Sequence, residues 1–202
     1  MILSNRGIHE ALDAGDIVID PEPGPRFPSE GGGSCPYDTC SVNLQLSNRL
    51  LIPKPGKPFS FDLRQGKIAP FLADVYEEVE INATGGFTLP VHQFILGNTK
   101  EKVCLPIRED RPSYAARIEG RSSFARIGLI VHFTAPTIHA GFEGTITLEM
   151  INWGPYPIAL YPGMQICQLI IEQLASLPFH KPSDFQGQRT PAGGPALNRR
   201  LA

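Results

Sequence analysis

Glycine and proline are the residues that most limit how this chain can fold. Each occurs 20 times in 202 residues, and both are spread along the chain instead of being pooled in one linker. Proline removes a backbone donor and glycine is entropically costly to order, so neither sustains a long helix. The apolar segments between them are short and bounded by turns, which is typical of β-sandwiches and barrels. The sequence therefore predicts a mainly β fold with a few short helices.

Length and charge limit the number of domains and the kinds of partner. A chain of this length can bury a core without disulfides or structural metals. We expect one β domain over residues 1–177 followed by a tail over 178–202. Lys plus Arg total 18 against 20 Asp plus Glu, so there is no overall positive field to hold nucleic acid. No basic leader precedes an apolar core, and no run reaches roughly 18 apolar residues. We expect a cytoplasmic protein with neither nucleic-acid nor membrane partners.

The four cysteines, which are Cys35, Cys40, Cys104 and Cys167, are expected to be reduced thiols because no secretory signal is evident. Zinc-dependent nucleobase deaminases require an H-x-E element and a P-C-x-x-C element. Neither element occurs in this chain. We therefore expect no catalytic metal.

Local signals predict the order of the elements. Ser4 is suited to cap a helix over Asn5–Ala14 that Gly15 ends, and Ile17–Ile19 is expected to be a strand. The prolines and glycines of residues 21–36 predict a long loop. Further strands are expected at Ser41–Leu46, Phe59–Leu63, Val75–Ile81, Gly86–Leu89, Phe94–Leu96, Lys102–Leu105 and Leu129–Phe133, and a final hairpin at Ile158–Tyr161 and Gln165–Gln173 around Pro162–Gly163.

One short segment has the chemistry of a phosphate site. Arg121, Ser122, Ser123 and Arg126 supply charged and neutral donors suited to phosphate oxygens. We expect one or two helical turns over Ser122–Ile127 and expect the start of this helix to face a ligand. Serines that open a helix are commonly caps, and that reading remains open.

A later strand has a single carboxylate on its polar face. Thr145, Thr147, Glu149 and Ile151 alternate with Ile146, Leu148 and Met150, so the second set is expected to face the core while the carboxylate stands with the threonines. A glutamate there is suited to move protons if it lies within hydrogen-bond reach of a substrate. The spacing equally fits a solvated glutamate.

Three blocks resemble the dCTP deaminase family, which is related to the trimeric dUTPases. They are GRSSFARIGL at residues 120–129, AGFEGTITLE at 140–149 and PGMQICQLIIE at 162–172. Ser4 and Ile8 also match an N-terminal LSxxxI helix. The likeness is weakest over residues 21–110. It implies a distorted jelly-roll or β-barrel of the dUTPase-like type, assembled as a homotrimer with active sites between subunits.

The resemblance also implies the catalytic roles. Glu149 would carry protons from water to the ring nitrogen and the departing amine of cytosine, Ser122 would orient the water, and the carbonyl oxygen of Ala135 would accept its second hydrogen. Arg126 is expected to keep the carboxylate ionised, because a nearby positive charge favours that form.

The nucleotide contacts implied by the resemblance are more widely spread. Phe142 matches the aromatic residue beneath the deoxyribose, where a ring leaves no room for a 2′-hydroxyl group. Phe142 also fits ordinary core packing, and the two glutamines also fit solvated amides. The tail is expected to be disordered by composition, unless it orders over a bound anion. The implied nucleotide-binding residues are Arg121, Ser123, Thr134, His139, Phe142, Gln168, Phe185 and Gln188.

Three positions depart from the family pattern. His139 stands where many relatives have an aspartate that touches the sugar, Thr137 replaces an arginine, and Asp184 replaces a lysine. His139 supplies no carboxylate, so we expect phosphate hydrolysis to be handicapped. Asp184 would repel a triphosphate.

The function implied is deamination of dCTP to dUTP with release of ammonia, supplying dUTP for thymidylate synthesis, with Mg²⁺ carried by the nucleotide triphosphate. One alternative is a bifunctional enzyme, or a dUTPase, that forms dUMP. The other is a nucleotide-binding module without catalysis.

Overall fold

The computed structural model describes residues 1–29, 34–56, 60, 62, 64, 68–179, 181 and 186–192. Three short helices and twelve strands lie in this part of the chain. In chain order they are α1 (Asn5–Asp13), β1 (Val18–Asp20), β2 (Tyr37–Asp38), β3 (Ser41–Pro53), α2 (Ile68–Val75), β4 (Tyr76–Glu80), β5 (Phe87–Leu89), β6 (Phe94–Cys104), β7 (Tyr114–Gly120), α3 (Ser122–Ala125), β8 (Leu129–Ile130), β9 (Thr137–Ile138), β10 (Glu143–Asn152), β11 (Ile158–Leu160) and β12 (Gln165–Gln173).

Ten strands form one antiparallel sheet. Its central path runs β8-β10-β6-β3-β12-β7-β9, with β1 on β6 and both β2 and β4 on β3, while β5 and β11 pair separately. The sheet curls into a half-barrel, because twisted strands in a sheet of this size do not stay flat. The prediction of a mainly β fold with short helices is confirmed.

Alternation along β10 decides which face of the sheet meets the core. Ile146, Leu148 and Met150 are each at most 2% exposed, whereas Thr145, Thr147 and Glu149 are partly exposed. Burying each of these large apolar side chains contributes about 1.5–3 kcal/mol. The predicted alternation along β10 is confirmed from Thr145 to Met150, with the polar side chains on the outer face of the sheet, whereas Ile151, expected with the polar set, is buried at 8% exposure.

The N-terminal helix follows its local signals. Ser4 Oγ accepts a hydrogen bond from Gly7 N at 3.3 Å, which caps α1. Gly15 follows the helix with φ +67°, a conformation that glycine adopts without steric cost. The predicted helix and the strand after it are confirmed, with β1 one residue later than expected.

The predicted final hairpin is wrong. β11 pairs with β5, and β12 pairs with β3 and β7. Gly163 N donates to Leu46 O and Leu46 N donates to Met164 O, both at 2.8 Å. These bonds anchor the turn to β3, so the chain passes from the small sheet to the large one instead of folding back on itself.

Several strand limits also differ from prediction. The separate strands expected at Phe94–Leu96 and Lys102–Leu105 are one strand, β6. A Cβ on Gly97 within it would lie 2.6 Å from Met150 Cε, so a larger residue there would force the Met150 side chain to move. Val75 ends a helix, α2, that was not predicted. β8 and α3 are shorter than expected, and β2, β7 and β9 were missed. Of the strand expected at residues 59–63, Ser60 and Asp62 are not in a strand, and the rest lies outside the described residues.

All four cysteines are free thiols. In the described part of the chain, no three His, Cys, Asp or Glu side chains are grouped closely enough to hold a metal ion. None of the described helices is both long and apolar enough to cross a membrane.

Candidate active site

The outer edge of β10 is only partly covered. Toward its end, β10 pairs with β8 through Ile151 and Asn152. At its start, Glu143 O accepts from Gly187 N at 2.7 Å and Thr145 N donates to Gln188 O at 3.0 Å. Between these partners, no described strand lies against this edge at Thr147. An unpaired strand edge offers a backbone donor and acceptor to a ligand.

Beside this open edge, Glu149 contacts His132. His132 Nδ1 lies 2.6 Å from Glu149 Oε2, and the two side chains are 7% and 32% exposed. The atoms are in ion-pair contact but poorly aligned for a hydrogen bond, and no other described residue supplies one. His132 follows β8 in the same register, so the fold of β8 against β10 places this pair.

The electrostatics of His132 depend on the carboxylate. Burial lowers the pKa of His132, but the contact with Glu149 and the main chain of Ala135 together outweigh burial. The pKa of His132 is therefore raised above its ordinary value, and the charged imidazole is favoured next to Glu149. A carboxylate beside a histidine whose charged form is favoured is suited to proton transfer.

The segment Arg121–Arg126 lies at the end of β7. Ser122 and Ser123 are exposed, and their hydroxyls have no hydrogen bond to the described residues. Arg121 is the N-cap residue of α3 but makes no side-chain cap bond. Its guanidinium donates to the main-chain and side-chain oxygens of Gln165 at 3.1 and 3.2 Å. The serines are therefore not side-chain caps here, and their hydroxyls are available to a ligand.

A glycine contact fixes this segment relative to β10. Gly128 has φ +88°, and a Cβ there would lie 2.2 Å from Gly154 N. Trp153 N donates to Gly128 O at 2.8 Å. Only a residue without a side chain fits this approach, so the turn after α3 is packed directly against the chain that leaves β10.

The other predicted site residues lie in different surroundings. Arg126 is exposed and forms no ion pair with Glu149 among the described residues of one chain. Thr134, Ala135 and His139 are exposed on the loops around β9. Phe142 is 5% exposed within the main core. Its position beneath a sugar stays a prediction.

The two glutamines are both held by the protein. Gln168 Nε2 donates to Asp38 Oδ2 at 2.8 Å and to Ser41 Oγ at 3.2 Å. Gln188 is 4% exposed, and its Nε2 donates to Thr145 O at 2.6 Å. Phe185 and Asp184 lie outside the described residues. Within one chain, Gln188 therefore lies against β10, whereas Gln168 stays on β12 and bonds to Asp38 and Ser41.

His132 was missed by sequence reasoning. It lies in the apolar run LIVHF, where a single histidine looks like part of a buried strand. The available signal was its position three residues before Ala135, which was itself assigned a role. The open edge at Thr147 had no signal in the sequence, because it arises from which strands pair.

The chain folds into a curled, mainly β sheet that carries a carboxylate and a histidine in contact on its outer face. A solved structure of 2′-deoxycytidine 5′-triphosphate deaminase from Agrobacterium tumefaciens has the same fold, with a TM-score of 0.58 and 18% identity, covering 84% of this chain and 47% of that chain.

A family model described as dCTP deaminase-like matches residues 2–174. The chain is 39% identical over 184 residues to the dCTP deaminase of Rhodospirillum rubrum, covering 90% of this chain and 87% of the relative. It is 37% identical over 196 residues to a protein of Dictyoglomus thermophilum named dCTP deaminase, dUMP-forming, covering 95% and 92%. The chain therefore belongs to the dCTP deaminase-like family.

Proposed function

We propose that this chain catalyses hydrolytic deamination of dCTP, in which dCTP and water give dUTP and ammonia. The observation that carries the proposal is the contact of Glu149 with the buried His132 beside an uncovered stretch of β10. Membership of the family supplies the substrate class. The enzyme would act in the cytoplasm and supply dUTP for thymidylate synthesis.

The open edge at Thr147 is suited to receive the base. A cytosine ring presents donors and acceptors in one plane, as a neighbouring strand does, and the backbone N–H and C=O of Thr147 point away from β6 toward this gap. A base paired there would have its exocyclic amine near Glu149, two residues further along the same face.

The chemistry then needs only one carboxylate. Glu149 removes a proton from water as the oxygen attacks the ring carbon that bears the amine, and passes a proton to the ring nitrogen. The carboxylate then takes the remaining proton from the hydroxyl group now on that carbon and gives it to the amine, so that the carbonyl of dUTP forms as the carbon–nitrogen bond breaks and ammonia leaves. Ser122 and the carbonyl of Ala135 orient the water, and His132 is a positioning residue that fixes the carboxylate. General acid–base catalysis of this kind contributes about 10²–10⁴-fold.

The phosphates need donors that one chain only partly supplies. Arg121, Ser123 and Arg126 are assigned to them, with Thr134, Gln168 and the tail residues Phe185 and Gln188 as further contacts. Mg²⁺ would accompany the triphosphate and neutralise part of its charge. His139 and Phe142 are assigned to the sugar.

We further propose a homotrimer with sites between subunits. Ser122, Ser123 and Arg126 face solvent without partners among the described residues, as expected of groups that complete a neighbour's site. Large apolar side chains are also exposed nearby, including Ile127, Phe133, Trp153 and Tyr156. Such a concentration is typical of a surface that is covered by another subunit.

Product analysis tests the reaction. Purified protein is incubated with Mg²⁺ and dCTP, and ammonia, dUTP, dUMP and pyrophosphate are followed together. We expect ammonia and dUTP in equal amounts. Folded protein that binds dCTP but releases no ammonia across a range of pH and salt would identify a nucleotide-binding module instead.

A bifunctional reaction is the second candidate. Relatives 37% and 35% identical to this chain are named dUMP-forming. Against it, His139 supplies no carboxylate at the position where many family members have an aspartate. We therefore expect dUTP to accumulate, and dUMP with pyrophosphate as the main products would overturn this part of the proposal.

A further inference from the structure

A cavity of about 490 Å³ opens on the sheet where two strand pairings lose their register. The shifts lie between Leu46 and Leu50 in the β3–β6 pairing and between Thr145 and Thr147 in the β10–β6 pairing. Bulges turn side chains and backbone groups out of the ladder and are frequent next to binding sites. The size falls within the range of small-ligand sites.

The lining of this cavity combines apolar residues, such as Leu46 and Pro162, with polar ones, and its charged side chains are all cations. Arg49, Lys100 and Arg189 contribute cations, and no lining residue is acidic. The remaining polar contributors are neutral: Ser47, Asn48, Asn98, Thr99 and Thr145. In a chain of net charge −2, this local excess of positive charge favours an anion.

Two of the three cations are available to a ligand. Arg49 is engaged by Glu78, with Nε 3.6 Å from Oε1. Lys100 Nζ has only a neutral partner, Gln45 Oε1 at 3.0 Å. Arg189 has no ion-pair partner among the described residues.

Arg189 reaches the cavity because the preceding residue is anchored to β10. Gln188 bonds to Thr145 through its main-chain oxygen and its side-chain amide, at 3.0 and 2.6 Å. Gly144 makes this approach possible, since a Cβ there would lie 3.0 Å from Gln188 O and 3.1 Å from Gln188 N. The bonds that hold Gln188 on β10 therefore also place Arg189 at the cavity.

We propose that this cavity binds a phosphate-type oxyanion between Lys100 and Arg189, with Ser47 and Thr145 beside it, and that docking of Gln188 on β10 creates the site. It is separate from the pair Glu149–His132 and from Ser122 and Ser123. The assignment stands on the cavity alone and holds whether or not the chain deaminates dCTP.

Calorimetric titration with pyrophosphate tests the site in the full chain. We expect saturable binding that weakens with added salt. Lys100→Gln and Arg189→Gln should each weaken it about tenfold, the loss expected for one charge-assisted hydrogen bond. Arg6→Gln, which removes an exposed charge on α1, is the matched control and should bind as the unaltered chain does.

A further variant tests the part played by the tail. Gly144→Ala should weaken binding as much as Arg189→Gln, because the added methyl group displaces Gln188. Absence of saturable binding, or equal affinity in Lys100→Gln, Arg189→Gln and the unaltered chain, would overturn the proposal. Normal affinity in Gly144→Ala would overturn the role of tail docking.

Titration with dCTP shows whether the bound anion is the triphosphate of a nucleotide or a free phosphate or pyrophosphate. If it is the triphosphate of dCTP, Lys100→Gln and Arg189→Gln weaken dCTP binding by the same factor as pyrophosphate binding. If it is free phosphate or pyrophosphate, dCTP binding is unchanged while pyrophosphate binding is lost. Both results support the site and assign its ligand.

Discussion

The two groups of polar side chains assigned to catalysis differ in how far a single chain completes them. His132 and Glu149 are in contact at 2.6 Å, with the histidine almost fully buried. Ser122, Ser123 and Arg126 are exposed and have no partners among the described residues. The register of β8 on β10 brings His132 and Glu149, the first group, together. The second group, which is Ser122, Ser123 and Arg126, lies on the surface in and just after α3.

The free-energy cost of burying polar groups explains why the two groups differ. The imidazole of His132 is nearly buried and depends on its contact with Glu149, since leaving a buried ionisable group without a partner costs several kcal/mol. Exposed hydroxyls and an exposed guanidinium bond to water and are not constrained to one arrangement. We infer that the first group is ready in the isolated chain, while the second acquires its geometry from a ligand or a neighbouring subunit.

The strongest test of this comparison removes the carboxylate. Glu149→Gln keeps the shape of the side chain but cannot carry protons, so kcat should fall about 10²–10⁴-fold while the Kd for dCTP changes little. Ammonia release and calorimetry measure the two quantities. Glu143→Gln, on the same face of β10, is the matched control. Comparable rates in Glu149→Gln and the unaltered chain would remove the assigned role.

A second test asks whether the two groups belong to different subunits. Arg126→Gln and Glu149→Gln are each expected to be nearly inactive. Trimers co-assembled from equal amounts of both should recover about a quarter of the unaltered activity, because some sites receive both intact groups from different chains. Co-assembled protein no more active than the mean of the two variants would place the site within one chain.

The strand that carries the carboxylate was predictable because period-2 alternation is a local signal. Ile146, Leu148 and Met150 had to share one face, which placed Glu149 on the other. The cap at Ser4 and the stop at Gly15 were equally local. These features depend on neighbouring residues alone, so no knowledge of the tertiary fold was needed.

Features set by long-range pairing were not predictable. The turn at Pro162–Gly163 looks like a hairpin turn, and only its bonds to Leu46 show that it connects two sheets. The uncovered edge at Thr147 exists because β8 and the Gly187–Gln188 segment stop on either side of it. His132 is a candidate site residue only because it contacts Glu149, which lies 17 positions further along the sequence.

The smallest expected effect is a pH dependence of the free energy of unfolding, which tests whether His132 and Glu149 interact in the isolated chain. The pKa of His132 is raised in the folded chain, because burial, which lowers it, is outweighed by Glu149, the main chain of Ala135 and the charge of Glu119 together. A raised folded pKa stabilises the fold fully at pH below the ordinary histidine value of about 6.5, and this contribution is lost as pH rises through the folded pKa. The free energy of unfolding should therefore fall across that window.

Two variants isolate the pair as the cause. His132→Gln should flatten this part of the pH profile of denaturant unfolding, whereas His92→Asn retains the pair and should keep its slope. In the folded chain, NMR titration of the His132 ring should give a midpoint above the ordinary value, and Glu149→Gln should lower that midpoint. A midpoint that is the same in both proteins would mean that the carboxylate does not hold the imidazole charged. The comparison would then fail, because the buried group would be no more complete in the isolated chain than the exposed one.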